Sequence, residues 1–310
     1  KKPYESLSKY LERTLPGEME AGKSRGKATA DIMFEYNKEP DREMFLPFIW
    51  GDAGSPASGG GGGDPDADAY LAAVTTAGGT TDATIDAAVQ TLFVDLKIAG
   101  LYSKLVSFYP LIGGIATSNR INGNSNTSYD LSLFGGWVHN TDGMISNRTN
   151  TYADTQIIPA TTLSATDNHT SVLYQDTGAG GGGYDGSGPA PYLIHSAKRA
   201  LEAFNGSAIM SGLGSIPNFG KAFLVNVKEN NTSAFAGANL NGAGYSIKST
   251  KTNAATTVPT SSWTIGKINT VGFFSGAQYW FVTIGNGMSQ PEALDLHDII
   301  NAFATAVGRT

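Results

Sequence analysis

The sequence predicts a mainly β chain: a sandwich or jelly roll with a helical lead-in and a C-terminal helix, preceded by an extended N-terminal anchor. Three observations carry this. Glycine is abundant, at 39 of 310 residues, and only 15 % of the chain is charged, a composition suited to strands and turns. From Phe108 onward apolar residues alternate with period two in many short runs broken by turn residues. Helical spacing is confined to the stretch before that region and to the last twenty residues.

Taken in order, residues 1–53 form a charged foot, holding nineteen of the forty-eight charged residues. In it Leu7, Tyr10 and Leu11 share one helical face, and Leu15-Pro16-Gly17 stops the helix. Residues 18–43 are too poor in apolar side chains to fold alone. Phe45, Leu46, Phe48, Ile49 and Trp50 then make a dense apolar peptide. It reads either as a segment tucked under the following domain or as a docking peptide that folds on a partner. A Gly-rich linker, 54–65, contains five consecutive glycines. Glycine runs are costly to order, so neighbouring subunits are expected to hold this one. The first residue is Lys and no leader peptide is visible, which points to a processed or truncated start.

The lead-in, 66–106, reads as a short helix from Asp66 to Thr76 and a longer one from Thr80 to Ile98. In the second, Ile85, Val89, Leu92, Phe93 and Leu96 recur at helical spacing, and Gly100 offers a C-cap. The body, 107–310, is expected to contain strands near 131–138, 151–158, 169–175, 192–197, 207–212, 221–228, 232–235 and 245–250. Strands at 264–274 and 277–284 are expected to form a hairpin around Ser275-Gly276. Tyr279–Val282 is apolar on both faces, as suits a strand between a sheet and a covering helix. That cover is the last helix. It opens with the capping box Ser289-Gln290-Pro291-Glu292, shows Leu296, Ile299, Ile300, Phe303 and Val307 as one stripe, and ends at Gly308.

The residues exclude much chemistry. There is no cysteine, hence no disulfide, zinc–thiolate site or thiol nucleophile. No apolar run is long enough to span a bilayer as a helix. A net charge of −6 argues against nucleic acid as the main ligand. His139, His169, His195 and His297 show no metal-ligand spacing, and neither metal nor cofactor is expected. Asp64, Asp66 and Asp68 suit a helix start better than a calcium site. Gly178–Gly183 lacks the Lys-Ser/Thr of a phosphate loop. Beyond the linker only Glu202, Glu229 and Glu292 are glutamates, and no strand carries an acidic pair for glycoside hydrolysis, so no enzyme is expected. Aromatic faces beside planar polar groups would suit sugar. The candidates are Tyr184, Tyr192, Trp137, Asn140 and Asp185, with Trp137, on the 131–138 strand, read as core ahead of ligand contact.

Several ordered blocks carry a resemblance. Tyr109-Pro-Leu-Ile-Gly-Gly114, Phe134-Gly-Gly-Trp-Val-His-Asn-Thr-Asp-Gly143, Thr151-Tyr-Ala-Asp-Thr155 and the closing Ala306-Val-Gly-Arg309 are similar to a family of tailed-phage structural proteins. These carry concanavalin A-like (laminin G-like) jelly-roll domains in fibres, spikes and head appendages. The resemblance spans about residues 66–310 and leaves out the foot. It implies a concanavalin A-like jelly roll and a non-enzymatic virion surface protein. The foot would dock on other virion proteins, and the body would be displayed towards a host surface glycan. A homo-oligomer, a trimer by analogy with phage fibres, is implied as well. The alternatives left open are a capsid shell or decoration subunit and, behind it, a glycan-processing enzyme.

Overall fold

Asp64 caps the first helix, α1 (Pro65–Thr76). Its carboxylate accepts from the backbone N–H groups of Asp66 and Ala67, and Pro65 sits where a missing N–H costs nothing. The computed structural model describes residues 63–309 except 125–127, 177–183, 188–192, 197–202, 205–208, 211–219, 231, 241, 253–258 and 268–273. For 176, 184–187, 193–196, 203–204, 209–210 and 251 it describes backbone alone. The foot, the pentaglycine up to Gly62 and the apolar peptide Phe45–Trp50 lie outside the described residues.

Asp82 caps α2 (Ala83–Ile98) through the N–H of Ile85, and Gly100 closes it at φ +69°, a conformation glycine adopts without strain. Lys97 Nζ reaches from the last turn of α2 to Asp64 and Asp66 at 2.7 Å each, while Asp68 accepts from Gln90. The acidic cluster therefore serves capping and helix–helix pairing. A single 3₁₀ turn, Tyr102–Lys104, leads into β1 (Leu105–Tyr109), which begins inside the stretch read as helical.

The remaining elements are β2 (Ser132–Phe134), β3 (Val138–Asn140), β4 (Gly143–Ile145), β5 (Tyr152–Asp154), β6 (Asn168–Asp176), β7 (Tyr184–Ser187), β8 (Leu193–Ser196), β9 (Ala203–Phe204), β10 (Ile209–Met210), β11 (Lys221–Lys228), β12 (Ser233–Leu240), β13 (Ser246–Thr252), β14 (Thr264–Ile265) and β15 (Ala277–Gly285). Short helices α3 (Ala116–Asn119) and α4 (Pro159–Thr162) interrupt them, and α5 (Gln290–Ala306) follows. All pairings are antiparallel. The larger sheet runs β13-β12-β11-β6-β15-β4-β3, with β1 beside another part of β15, and the smaller runs β2-β5-β14-β7-β8; β9 and β10 pair separately as a two-stranded ribbon. The protein is thus mainly β with a few helices, as expected.

Period-two alternation gives the larger sheet two apolar faces. One packs Phe108, Leu173, Phe223 and Phe281 against Phe93 and Leu96 of α2 and Leu296, Ile300 and Phe303 of α5. The other packs Val172, Tyr174, Leu224 and Tyr279 against Ala153, Trp263 and Ile265 of the smaller-sheet side. The result is a helical layer, a sheet and a second sheet. β15 lies in the middle, covered on both faces.

Three expectations are corrected. The 264–274 and 277–284 strands do not form a hairpin: β14 pairs with β5 and β7, and β15 with β6, β4 and β1. Between them Ser275, fully buried, donates its N–H to Gly266 O, so the chain crosses from one sheet to the other there. The 131–138 strand is split between the two sheets, with Gly135 at φ +75° between the parts. A Cβ there would lie 2.6 Å from Asn150 O, so only glycine fits the crossing. The 151–158 strand stops at Asp154, because Gln156 adopts φ +61°.

Arg309 fastens the end of α5. Its buried guanidinium donates to the carbonyls of Pro110, Trp280, Leu111 and Thr141 at 2.7–3.2 Å, tying β1, β15 and the β3–β4 turn to the last described residue.

Candidate functional site

On the smaller sheet Leu133, Ala153 and Ile265 point inward, so Ser132, Phe134, Tyr152 and Asp154 share the opposite face. Phe134 and Tyr152 are direct cross-strand partners, with rings stacked 4.5 Å apart at 8°. Phe134 leaves 43 % of its surface exposed on edge strand β2. Lys267 Nζ stands 4.5 Å from the centre of the Tyr152 ring and 5.5 Å from that of Phe274. Its backbone is held by Thr264 Oγ1, which donates to Lys267 O at 2.6 Å.

The polar rim is fixed. Asp154 Oδ1 accepts from Gln156 N at 2.7 Å and Oδ2 from Ser262 Oγ at 2.9 Å. Gln156 Nε2 donates to Asp130 O and Ser132 Oγ. Asn147 Oδ1 accepts from the N–H groups of Thr149, Asn150 and Thr151, which builds the turn beside Gly135, and its Nδ2 donates to Asn150 Oδ1. A flat aromatic surface edged by amide, carboxylate and ammonium groups can stack against an apolar face and hydrogen-bond around its perimeter.

Of the residues expected from sequence, Trp137 lies beneath this surface. Its Nε1 donates to Tyr152 O at 3.1 Å and its ring meets Tyr279 edge-on, so it positions Tyr152 and belongs with the core. Asn140 holds the β3–β4 turn, accepting from Asp142 N and Gln278 Nε2. Tyr184 and Asp185, expected in a glycine loop, instead belong to β7, two strands from β5 in the same sheet, where backbone alone is described. Tyr192 lies outside the described residues. Phe134, Tyr152 and Lys267 were not anticipated. The alternation Leu133-in, Phe134-out and Tyr152-out, Ala153-in was the available signal.

The three histidines whose side chains are described, His139, His169 and His297, take structural roles. His169 is buried, with Nδ1 facing Asn286 O at 2.5 Å and Nε2 facing Thr283 Oγ1 at 3.0 Å, and burial lowers its pKa to about 4. His297 stacks on Tyr245, and burial lowers the pKa of His139. Among the described residues no group of three His, Asp or Glu side chains could hold a metal ion.

No protein family matches the sequence, and no curated protein sequence matches it. Solved structures do. Domain 4 of a GH43 extracellular arabinanase from Geobacillus stearothermophilus, in complex with arabinotriose, matches at 15 % identity and a TM-score of 0.44, over 64 % of this chain and 98 % of that one. A sialidase from Trypanosoma rangeli in complex with sialic acid matches at 12 % identity and a TM-score of 0.45, over 70 % of this chain but 38 % of its own. An arabinofuranosidase matches at 11 % identity and a TM-score of 0.39, over 60 % of this chain and half of its own. At such values the likeness transfers no activity. The virion surface protein expected from the sequence is set aside: the solved structures found are an arabinanase domain, a sialidase and an arabinofuranosidase.

Proposed function

We propose that this chain is a glycan-binding β-sandwich module whose ligand surface is the outer face of the smaller sheet. The observation that carries it is the Phe134–Tyr152 stack, with Phe134 43 % exposed and Tyr152 half-buried on the outer face of that sheet. Two stacked rings open to solvent on one face present a flat apolar platform with polar groups at its edge. The C–H face of a sugar ring suits Phe134, and its hydroxyls suit Asp154, Asn150 and Lys267. The sheet order supports a jelly roll, since the chain passes repeatedly between sheets from β4 through β15.

The module binds and does not cleave. Both oxygens of Asp154 already accept hydrogen bonds, which suits an orienting group. Glu229 accepts from Ser233, and Glu292 serves the cap of α5. The test is calorimetric titration with neutral and acidic oligosaccharides. Phe134→Ala should weaken binding about tenfold, roughly 1.4 kcal/mol, with melting temperature unchanged because the side chain is exposed. Binding that survives both Phe134→Ala and Tyr152→Ala would refute the reading.

A further inference from the structure

A cleft of about 610 Å³ opens between one face of α1 and the chain around Arg120 and Asp130. Its floor is made of small residues: Ala69, Ala73 and Ala77 stand four apart on one side of the helix. Tyr70 lines it as well. That side chain is 2 % exposed and leans on Phe93, and its hydroxyl has no hydrogen-bond partner among the described residues. A buried hydroxyl without a partner is destabilising, so the site gains when a ligand supplies one. Burial keeps this phenol protonated well above neutral pH, with the charges of Arg309 and Asp130 both acting on it.

Arg120 and Asp130 line the same cleft, and no ion pair joins them or ties either to another described residue. Asp130 Oδ1 accepts from Asn122 N at 3.0 Å, which fixes the carboxylate in place. A guanidinium only donates, a carboxylate only accepts, and a phenol does both. A simple anion would be repelled by Asp130, and a simple cation by Arg120. Adjacent hydroxyls satisfy both groups, each accepting from the one and donating to the other. The C–H face of a sugar ring matches the alanine floor.

We propose that this cleft binds a single sugar residue, held through neighbouring ring hydroxyls by Arg120 and Asp130, with the Tyr70 hydroxyl as a third partner. The site is distinct from the aromatic surface. The two are joined through β2, because Gln156 Nε2 donates both to Asp130 O and to Ser132 Oγ. The proposal rests on the glycan-binding reading only for the class of ligand.

The experiment titrates methyl β-galactoside, methyl β-glucoside, glucuronate and glycine betaine into the full chain, read by ligand-observed NMR and calorimetry. At least one neutral glycoside should bind. Tyr70→Phe and Asp130→Asn should each weaken it about tenfold, and Arg120→Ala should do the same. Tyr70→Phe should leave the melting temperature unchanged or raised, which separates ligand contact from a structural role. Phe134→Ala should leave this monosaccharide binding intact. Failure of every neutral glycoside, binding of glucuronate or betaine alone, or affinity indifferent to Tyr70→Phe and Arg120→Ala would overturn the proposal. Loss of binding in Phe134→Ala would move the ligand to the aromatic surface. If oligosaccharide binding ignores Phe134 while the cleft variants lose the monosaccharide, the aromatic surface falls and the cleft stands.

Discussion

His169 sits in β6 with both ring nitrogens committed. Asn286 O is an acceptor only, so Nδ1 carries the hydrogen and donates to it. Nε2 then accepts from Thr283 Oγ1, which in turn accepts from Ser171 Oγ at 2.6 Å. A second proton would break that chain inside a fully buried site. Burial, the main cause, lowers the folded pKa to about 4, against an unfolded value near 6.5. Between those values the unfolded chain binds more protons than the folded one, so stability falls as pH falls and levels off below about 4. The full difference is about 3 kcal/mol. Melting curves from pH 7 to pH 4 should show this loss, and His169→Gln should be less stable at pH 7 but flatter across that window. A parallel slope in the variant would refute the assignment. Arg309 poses the opposite problem, a buried cation that keeps its charge. Burial lowers its pKa to about 10, still well above neutral, and its compensation is four carbonyl oxygens with no carboxylate. A lysine ammonium cannot span those acceptors, so Arg309→Lys should cost about 3 kcal/mol by leaving buried carbonyls unpaired. Guanidinium unfolding measures it, and a midpoint within error of the parent would contradict it.

At the scale of elements, α5 shows which contacts matter. Its capping box is complete: Ser289 Oγ accepts from Glu292 N, and Glu292 accepts from Ser289 N at 2.7 Å. Glu292 also pairs with Lys104 at 2.8 Å, with both side chains about 30 % exposed. Half-solvated pairs contribute little, whereas a lost cap costs about 1 kcal/mol. Ser289→Ala should therefore destabilise more than Lys104→Ala in urea unfolding, and the reverse order would show that the pair dominates. This helix was legible in the sequence because its signals are local: the box, the stripe through Leu296, Ile300 and Phe303, and Gly308 at φ +82°. β11 was legible at its observed limits, Lys221–Lys228, because eight residues suffice to show a strand. The three-residue strands β2 and β3 were not, since their separation depends on Gly135 meeting Asn150, a contact outside any short window. The aromatic surface was hidden for the same reason. Phe134 and Tyr152 become neighbours only through the β2–β5 register, and exposure follows from which face the sheet buries.

For the molecule as a whole, the helices that seemed a lead-in are one of its three layers. α1 and α2 come from the start of the described chain and α5 from its end, yet all three pack into one core on the same face of the larger sheet. That face is lined by Phe108, Leu173, Phe223, Val225 and Phe281, each no more than 2 % exposed, and α2 contributes Val89, Leu92, Phe93 and Leu96 to the cover. Removing α1 and α2 would therefore uncover an aromatic and aliphatic face far larger than a soluble monomer tolerates. Cutting the chain before β1 would also strip the ring of Phe108 of Phe93 and of Tyr102 in the 3₁₀ turn, which meet it edge-on at 5.3 and 6.2 Å. A shortened chain beginning at Leu105 should keep strand-like far-UV circular dichroism but lose near-UV signal, bind a hydrophobic dye and aggregate. The segment 63–104 supplied separately should restore solubility and the near-UV bands, because the missing surface is a complement and not a tether. A soluble, cooperatively melting chain from Leu105 onward would mean that the two sheets alone form the folding unit. The helical layer would then be an appendage.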